Sequence, residues 1–301
     1  MRRPAIVAAL AALLLSGCTG FVFSTPRRLP ARLHDARRPD ARLAVTWLGH
    51  ATALVQMDDR FILTDPLLQD SVGQLSKRVQ EVGMDPADLP PLDAVVVSHM
   101  HFDHLSLGSL DAIEGKVRRL FVPRGGLVYI PNYAFDVREL ARWASFEDRG
   151  LRVTAVPVQH VGFRYGLDGA WMTSSFTGYV LEYHGLTVYF AGDTAYDGAR
   201  FRATAERFPH IDLALLPIAP IHPRSFMEKT HVDPGEALRA FRDLGAAVMI
   251  PVHYDTMING FDDPGEARET LEREARTQGL SPRVRIVPIG GQSVIVPVPG
   301  G

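Results

Sequence analysis

The feature that most constrains this chain is a cluster of four metal-binding side chains within six residues, directly after a short apolar run at residues 94–97. The cluster contains His99, His101, Asp103 and His104. In an extended segment His99 and His101 would point the same way, because side chains alternate along a strand. Leaving so many buried polar groups unpaired would be costly. The cluster therefore predicts a metal site, and the fold must supply further ligands because one short segment cannot surround a metal ion.

Three further candidate ligands each follow an apolar run elsewhere in the chain. His160 follows residues 153–158, Asp193 follows residues 188–192, and His253 follows residues 248–252. Strand ends gathered at one edge of an α/β sheet can converge on a single point. A lone histidine at a strand end is usually structural, so His160 and His253 depend on the cluster for this interpretation. Together the seven side chains are too many for one ion and fit two ions that share a carboxylate.

The composition narrows both the ligand chemistry and the partners. Cys18 is the single cysteine among 301 residues, so no intramolecular disulfide and no thiolate-rich metal site can form. Imidazole and carboxylate groups must therefore hold any metal. A formal net charge of −2 implies no strongly charged partner, and we predict no nucleic-acid binding.

The N-terminal residues indicate export. Arg2 and Arg3 precede an apolar run at residues 5–15 that is too short to span a bilayer. The run ends in LSGC, which resembles the lipobox of bacterial lipoproteins; an ordinary signal peptide is the alternative. The resemblance implies a signal peptide at residues 1–17, an acylated Cys18 and a lipid-anchored protein of the cell envelope. Thr19 follows the cysteine. Because no aspartate stands at this position, the resemblance implies sorting to the outer membrane, with the protein facing the periplasm.

The remaining chain divides into a linker and one folded domain. Residues 18–42 are rich in arginine and proline, which predicts a lipidated N-terminus and basic linker, either solvated or lying on anionic lipid head groups. The domain is predicted to span residues 43–301. Alternation and apolar spacing predict its elements. The strands are predicted at residues 43–48, 53–57, 61–64, 94–97, 117–122, 151–158, 176–183, 186–190, 213–216, 247–252, 284–287 and 293–298, and the helices at residues 135–146, 234–244 and 264–278. This order predicts an α/β domain with mixed sheets.

The ligand pattern resembles the metallo-β-lactamase superfamily. The hallmark motif is the HMHFDH segment that begins at His99, and His160, Asp193 and His253 match the later motifs in order. The resemblance implies a four-layer αβ/βα sandwich, with the metals at one edge of two mixed sheets. It also implies two Zn²⁺ ions, with Mn²⁺ or iron as alternatives. One ion would take His99, His101 and His160, the other would take Asp103, His104 and His253, and Asp193 would bridge them.

A narrower resemblance is to the N-acyl-phosphatidylethanolamine-hydrolysing phospholipase D branch. It rests on the segments WLGHAT from residue 47, LTDP from residue 63, PPLDAVVVS from residue 90, PVQH ending at His160, and PRSFM from residue 223. The chain departs from the branch at Val161 and Gly162, where Trp-Ser is usual, and at Tyr254 and Asp255, where Trp-Gly is usual. These positions line the mouth of the site in the family, so the departures bear on the substrate more than on the metals.

The resemblance implies a binuclear zinc hydrolase, in which Asp103 and Asp193 orient a metal-bridging hydroxide as the nucleophile. Further candidates would support the ligands or contact substrate: Asp65, His50, Arg224, His231 and Tyr254. Arg224 and His231 also have a structural alternative, as a salt-bridged arginine and a histidine at a helix start. We predict a phosphodiesterase that acts on a phospholipid such as N-acyl-phosphatidylethanolamine. The alternatives are a small-substrate lactonase and a non-catalytic metal-binding lipoprotein, and the oligomeric state is open.

Overall fold

Two β-sheets carry most of the strands in the computed structural model, which describes residues 25–72, 76–258 and 260–299. The first sheet has seven strands, in the order β15 (Gln292–Pro297), β1 (Ala41–Gly49), β2 (Thr52–Met57), β3 (Arg60–Thr64), β6 (Ala94–Val96), β7 (Arg119–Pro123) and β8 (Asp136–Leu140). The second has six, in the order β14 (Val248–Val252), β13 (Leu213–Pro217), β12 (Leu186–Phe190), β11 (Gly178–Tyr183), β10 (Leu151–Val156) and β9 (Ser145–Asp148). A small ribbon pairs β4 (Ser71–Val72) with β5 (Ser76–Lys77).

Helices cover the outer faces of both sheets. They are α1 (Leu107–Ile113), α2 (Gly198–Arg207), α3 (Arg224–Met227), α4 (Pro234–Leu244) and α5 (Glu266–Thr277), with short 3₁₀ turns at Pro86–Asp88, Glu114–Lys116, Gly126–Tyr129, Leu167–Ala170 and Ser281–Arg283. In β6, Val96 points into the core between the sheets, whereas Val95 points to the outer face that α1 covers through Leu110. On the other side α4 packs on β13 through Phe241. The four-layer αβ/βα sandwich expected from the resemblance is confirmed.

The sequence encodes the start and the end of α4 locally. The Asp233 side chain accepts a hydrogen bond from the Glu236 N–H, and the Glu236 side chain accepts one from the Asp233 N–H. Pro234 occupies the first turn, where its missing N–H costs nothing. Gly245 ends the helix at φ 64°, a conformation that glycine adopts without strain. These signals explain why the helix predicted at residues 234–244 is confirmed.

The strand directions place the carboxyl ends of several strands from both sheets at one edge of the sandwich. In the first sheet β3, β6 and β7 run parallel, and in the second β12, β13 and β14 run parallel, with β10 pointing the same way because both β10 and β12 are antiparallel to β11. We call the edge at which these strands end the carboxyl edge. The two sheets meet there, since the His253 N–H donates to the carbonyl oxygen of His50 at 2.9 Å.

Two predicted elements are wrong. Residues 135–146, predicted as a helix, contain the edge strands β8 and β9, because β8 pairs with β7 and β9 pairs with β10. Residues 284–287 form no strand, and only Val284 makes an isolated bridge, to Met249.

The described part of the segment predicted as a basic linker contacts the domain at several positions. The Arg27 N–H donates to the Val79 carbonyl at 3.0 Å, and the Glu81 N–H donates to the Arg27 carbonyl at 3.1 Å. Ala36 is buried, and Leu33 packs on the core beneath α1. These contacts order residues that carry no periodic apolar pattern. Cys18 and the predicted signal peptide lie outside the described residues. Within the described ranges, the structure contains no helix long and apolar enough to cross a membrane.

Candidate metal centre

The carboxyl edge brings all seven predicted ligands together. The cluster from His99 to His104 follows β6, while His160, Asp193 and His253 follow β10, β12 and β14. The described residues form five groups of histidine and acidic side chains whose potential ligand atoms lie within 4.8 Å of one another, and two of these groups correspond to the predicted ion sites. The first set is His99, His101 and His160, and the second is His50, Asp103, His104 and His253. These sets match the two predicted ion sites, with His50 added to the second.

Asp193 lies between the two sets. Its Oδ2 is 3.9 Å from Nε2 of His99 and 3.9 Å from Nε2 of His160, which belong to the first set. The same oxygen is 3.3 Å from His104 Nε2, and Oδ1 is 3.2 Å from His253 Nε2, both in the second set. A single carboxylate within reach of both sets is the geometry that a shared ligand requires.

Four of the imidazole rings are held in place through Nδ1, the ring nitrogen that points away from Asp193. Nδ1 of His160 donates to the Thr230 carbonyl at 2.9 Å, and Nδ1 of His253 donates to the Ala219 carbonyl at 3.0 Å. Nδ1 of His99 lies 2.9 Å from Ser98 Oγ, and Nδ1 of His104 lies 2.6 Å from Asp65 Oδ2. Hydrogen bonds of this kind fix the ring and direct the other nitrogen at a metal. The four Nε2 atoms therefore converge on the space around Asp193.

Asp65 organises one ligand of each set. It is fully buried and accepts hydrogen bonds from the Ser98 N–H and the Ser98 hydroxyl, each at 2.6 Å, in addition to the bond from His104. Because Ser98 Oγ donates to Asp65, it accepts from His99 Nδ1. The carboxylate therefore positions His104 directly and His99 through Ser98.

The electrostatics of the site favour the neutral forms of His99 and His160 next to an ionised Asp193. Burial lowers the pKa of His99 and of His160 well below the ordinary value. Burial alone would raise the pKa of Asp193, but His104 and His253 hold it well below its ordinary value. Neutral imidazole and ionised carboxylate are the forms that bind metals.

The unpaired atoms of the site test whether these residues fit a metal. Among the described residues, the buried atoms His101 Nε2 and His160 Nε2 have no hydrogen-bond partner. His104 Nε2 and His253 Nε2 face each other at 3.2 Å, although both rings already use Nδ1 for an outward bond. Buried polar atoms without partners are costly, and imidazole with carboxylate is the donor set of zinc and related ions. The residues therefore fit a metal centre.

Two further histidines flank the ligand sets. His50 is buried, its Nε2 lies 3.0 Å from Asp103 Oδ2, and burial together with His253 lowers its pKa to about 3. His50 is thus a neutral donor that orients Asp103. His231 has Nδ1 3.7 Å from Asp193 Oδ2, and this buried nitrogen has no hydrogen-bond partner in the described part of the chain. Burial lowers the pKa of His231 to about 4, so a neutral imidazole faces the centre beside His160.

Arg224 and Tyr254 do not contact the centre. The Arg224 guanidinium forms ion pairs with Glu236 and Asp233 and donates to the carbonyl of His231 at 3.0 Å, as in the salt-bridged alternative. Tyr254 is buried and stacks on Trp47 with 4.7 Å between ring centroids. Both were predicted to support the ligands or contact substrate, and the contacts they make instead support neighbouring segments.

Arg164 was not recognised in the sequence, although it holds the ligand loop. Its Nη1 donates to the carbonyls of Met100 and Leu105, each at 2.9 Å, and its guanidinium lies 4.2 Å from the Phe102 ring centroid. Phe163, its neighbour, contacts the ring of His101 with 4.9 Å between centroids. No periodicity marks these residues, and their position shortly after His160 is the only available signal.

A cavity of about 750 Å³ adjoins the centre on the side of the last ligand. His253 and several residues between positions 254 and 268 border it. Arg27 and Gln80, which lie closer to the N-terminus, border it from another side. Apolar walls from Ile258 and Pro220 face charged groups such as Arg268. The cavity is large enough for a small molecule or part of a larger one.

Comparison with known proteins agrees with this geometry. Residues 60–254 match the family model described as the beta-lactamase superfamily domain. The chain is 32% identical over 239 residues to N-acyl-phosphatidylethanolamine-hydrolyzing phospholipase D 1 of Caenorhabditis elegans, covering 74% of this chain and 66% of that protein. It is 31% identical over 251 residues to a UPF0173 metal-dependent hydrolase of Methanosphaerula palustris, covering 83% of this chain and 98% of that protein.

A solved structure shares the fold. Isothiocyanate hydrolase from Delia radicum gut bacteria superposes with a TM-score of 0.68 and 18% identity, covering 84% of this chain and 99% of that one. At this identity the likeness concerns the fold alone. From the family match, the relatives and the assembled ligand sets, we conclude that the chain belongs to the beta-lactamase superfamily and is a metal-dependent hydrolase.

Proposed function

We propose that this hydrolase is a binuclear zinc phosphodiesterase of the phospholipase D type, with a phospholipid such as N-acyl-phosphatidylethanolamine as its substrate. The observation that carries the proposal is that four imidazole rings, each held through Nδ1, direct Nε2 towards Asp193. This carboxylate lies within 4 Å of members of both ligand sets. The relative from Caenorhabditis elegans, by its name, hydrolyses that phospholipid, and it supports the substrate class.

The residues of the chain have separate tasks in this proposal. His99, His101 and His160 would hold one zinc ion, Asp103, His104 and His253 would hold the other, and Asp193 would contact both. When bound, two such ions supply Lewis acidity and an activated water at neutral pH. Asp103, fixed by His50, and Asp193 would orient the attacking water through their carboxylate oxygens. His231 is the residue we propose to contact a phosphoryl oxygen, because its unpaired Nδ1 faces the centre.

We also propose that the mature protein is anchored to the outer membrane of the cell envelope by lipid on Cys18. The lipobox-like sequence supports this, and labelling of growing cells with a fatty-acid probe tests it. Wild-type protein should carry the label and the Cys18→Ser variant should not.

The substrate proposal is tested by turnover. The purified zinc-loaded protein is given N-acyl-phosphatidylethanolamine in mixed micelles, and in parallel an aliphatic lactone. We expect phosphatidic acid and N-acylethanolamine from the phospholipid, because water replaces the alcohol on phosphorus. Turnover of the lactone without release of phosphatidic acid would instead support the small-substrate alternative.

The metal assignment is tested separately by the metal content of two histidine variants. His101→Ala should lose one or both zinc equivalents together with activity. His184→Ala is the matched control, because His184 is exposed in the turn between β11 and β12 and contacts Asp58 instead of the centre. Equal zinc content in both variants would contradict the assignment.

A further inference from the structure

The large exposed hydrophobic side chains are concentrated at one edge of the molecule. Among the residues that the structure describes, ten such side chains are exposed. Nine of them lie on segments that follow strands ending at the carboxyl edge, which also holds the metal centre. The tenth, Val298, follows β15, which is antiparallel to β1 and ends at the opposite edge. Solvated surfaces rarely gather apolar side chains in this way without a partner.

The longest apolar segment follows His160. It carries Val161, Tyr165, Leu167 and Trp171, and Leu167 and Trp171 are 88% and 68% exposed. The neighbouring 3₁₀ turn after β7 adds Leu127 and Val128. The two segments are in contact, since the Tyr129 and Tyr165 rings lie 5.9 Å apart and the Tyr129 hydroxyl donates to Asp168.

A second apolar group lies after β13 and β14. Phe226 is in α3, and Ile258 and Phe261 follow His253, with Phe261 82% exposed. The Phe261 N–H donates to the carbonyl of His222, just before α3, which brings this loop to the start of that helix. Ile258 borders the cavity beside His253. Apolar side chains therefore border the metal centre on two sides.

The N-terminal part of the chain enters the domain at the same edge. Arg27 pairs with residues of the 79–81 segment and borders the cavity that Ile258 and His253 also border. Arg27 and Arg28 are exposed there. Cys18 precedes Arg27 by nine residues, a distance of at most about 30 Å in extended chain.

We propose that the carboxyl edge is a membrane-docking surface, in which these two apolar groups enter the head-group region of a phospholipid layer and present the metal centre to it. Exposed aromatic and aliphatic side chains with nearby arginines are the chemistry that binds an anionic lipid surface. A chain tethered at this edge would face the layer with the same surface. The inference rests on the proposed phospholipid substrate and extends it by assigning the surface through which that substrate is reached.

Trp171 provides a direct test that requires no turnover. The full chain, carrying Cys18→Ser so that no acyl group contributes, is mixed with phosphatidylcholine–phosphatidylglycerol vesicles whose acyl chains are brominated near the head group. Bromine quenches a tryptophan only on contact, so we expect quenching that is largely lost in the Trp171→Phe variant. Trp47 is buried and Trp143 is partly buried against the core, and the variant retains both, so the difference in quenching between the two proteins reports on Trp171. Absence of quenching in the wild-type sequence would overturn the proposal.

Matched serine variants locate the surface. Leu167→Ser and Phe261→Ser should each weaken vesicle affinity by roughly tenfold, because each removes an apolar side chain from the lipid contact. Val298→Ser is the control and should bind as the parent does, since Val298 is 40% exposed at the opposite edge. All three side chains are exposed, so the variants should fold. Equal affinity of the three variants would overturn the docking surface.

Two further measurements separate this proposal from its alternatives. If the apolar edge instead joins two copies of the chain, Leu167→Ser would convert a dimer into a monomer in light scattering without changing vesicle binding. Hydrolysis of the soluble diester bis-p-nitrophenyl phosphate is measured in parallel. Retained hydrolysis without vesicle binding would refute docking alone, whereas vesicle binding without hydrolysis of any diester would refute the proposed function alone.

Discussion

Replacing Asp65 with asparagine should weaken metal binding without changing a ligand. The substitution keeps the volume but removes the charge that accepts three hydrogen bonds of 2.6 Å. An amide offers one acceptor oxygen, and its NH₂ group would face Ser98 or His104 as a second donor. Asp65 holds His104 directly and His99 through Ser98, so one ligand in each set is released from its orientation. Loss of such a support typically lowers metal affinity 10- to 100-fold, or about 1.4 to 2.7 kcal/mol.

We expect Asp65→Asn to lie near the upper end of that range, because both ligand sets are affected. The assay is competition for zinc with a chromogenic chelator at neutral pH. Asp93→Asn is the matched control. Asp93 precedes β6 at the opposite edge and accepts hydrogen bonds from the Phe61 N–H and the Arg60 side chain. The control should lose some stability but no zinc affinity. An Asp65→Asn protein within about twofold of wild-type affinity would refute the reasoning.

Three other predictions follow from the same site. A Cβ on Gly192 would lie 2.2 Å from the Ser98 Cβ, and φ is +60° there. Gly192→Ala should therefore lower the melting temperature and the zinc content together, and an unchanged melting temperature would contradict this. Arg164→Met should reduce the free energy of unfolding in urea by about 2 kcal/mol or more, because two carbonyls lose a charged donor. An equally stable variant would show that these two hydrogen bonds do not stabilise the ligand loop. Although burial opposes it, Asp193, Asp103 and Asp65 raise the pKa of His104 well above its ordinary value in the metal-free protein. Zinc binding at neutral pH should therefore displace a proton, so the calorimetric enthalpy should depend on the ionisation enthalpy of the buffer; independence of the buffer would contradict this.

The convergence of the candidate ligands could be predicted from the sequence because their spacing reflects strand geometry. The predicted ligands lie in segments that follow the carboxyl ends of apolar strands, and parallel strands of one sheet end at the same edge. Helix α4 could be predicted equally well, since Asp233, Glu236 and Gly245 mark its ends in the sequence itself. Such local signals do not depend on the rest of the fold.

Elements that depend on distant pairing were not predictable in the same way. The apolar spacing in residues 135–146 is compatible with a helix, but tertiary partners decide the outcome. Strand β8 pairs with β7, and Phe146 in β9 packs 5.8 Å from the Phe121 ring. Hydrophobic spacing in a short segment does not predict which distant strand the segment will pair with. The ordered path of residues 27–40 depends in the same way on contacts with the 79–83 segment.

The supporting residues of the centre divide along the same lines. Asp65 was identified because its motif resembles a family pattern, and the structure places it against His104 and Ser98. Arg164 acts on carbonyls that no sequence pattern identifies, and Arg224 reaches its carboxylate partners instead of the centre. Side-chain chemistry shows what a residue can bind, but neighbours in the fold decide which partner it meets.

The division of the ligands between the two sheets has a consequence for how the protein matures. The first sheet supplies His99, His101, Asp103 and His104, and the second supplies His160, Asp193 and His253. Neither sheet alone offers a complete set, since the first set needs His160 and the second needs His253 from the other sheet. Metal loading therefore belongs to the last stage of folding, when the sheets have docked. The metal content of a preparation then measures the fraction of molecules whose two halves are correctly assembled.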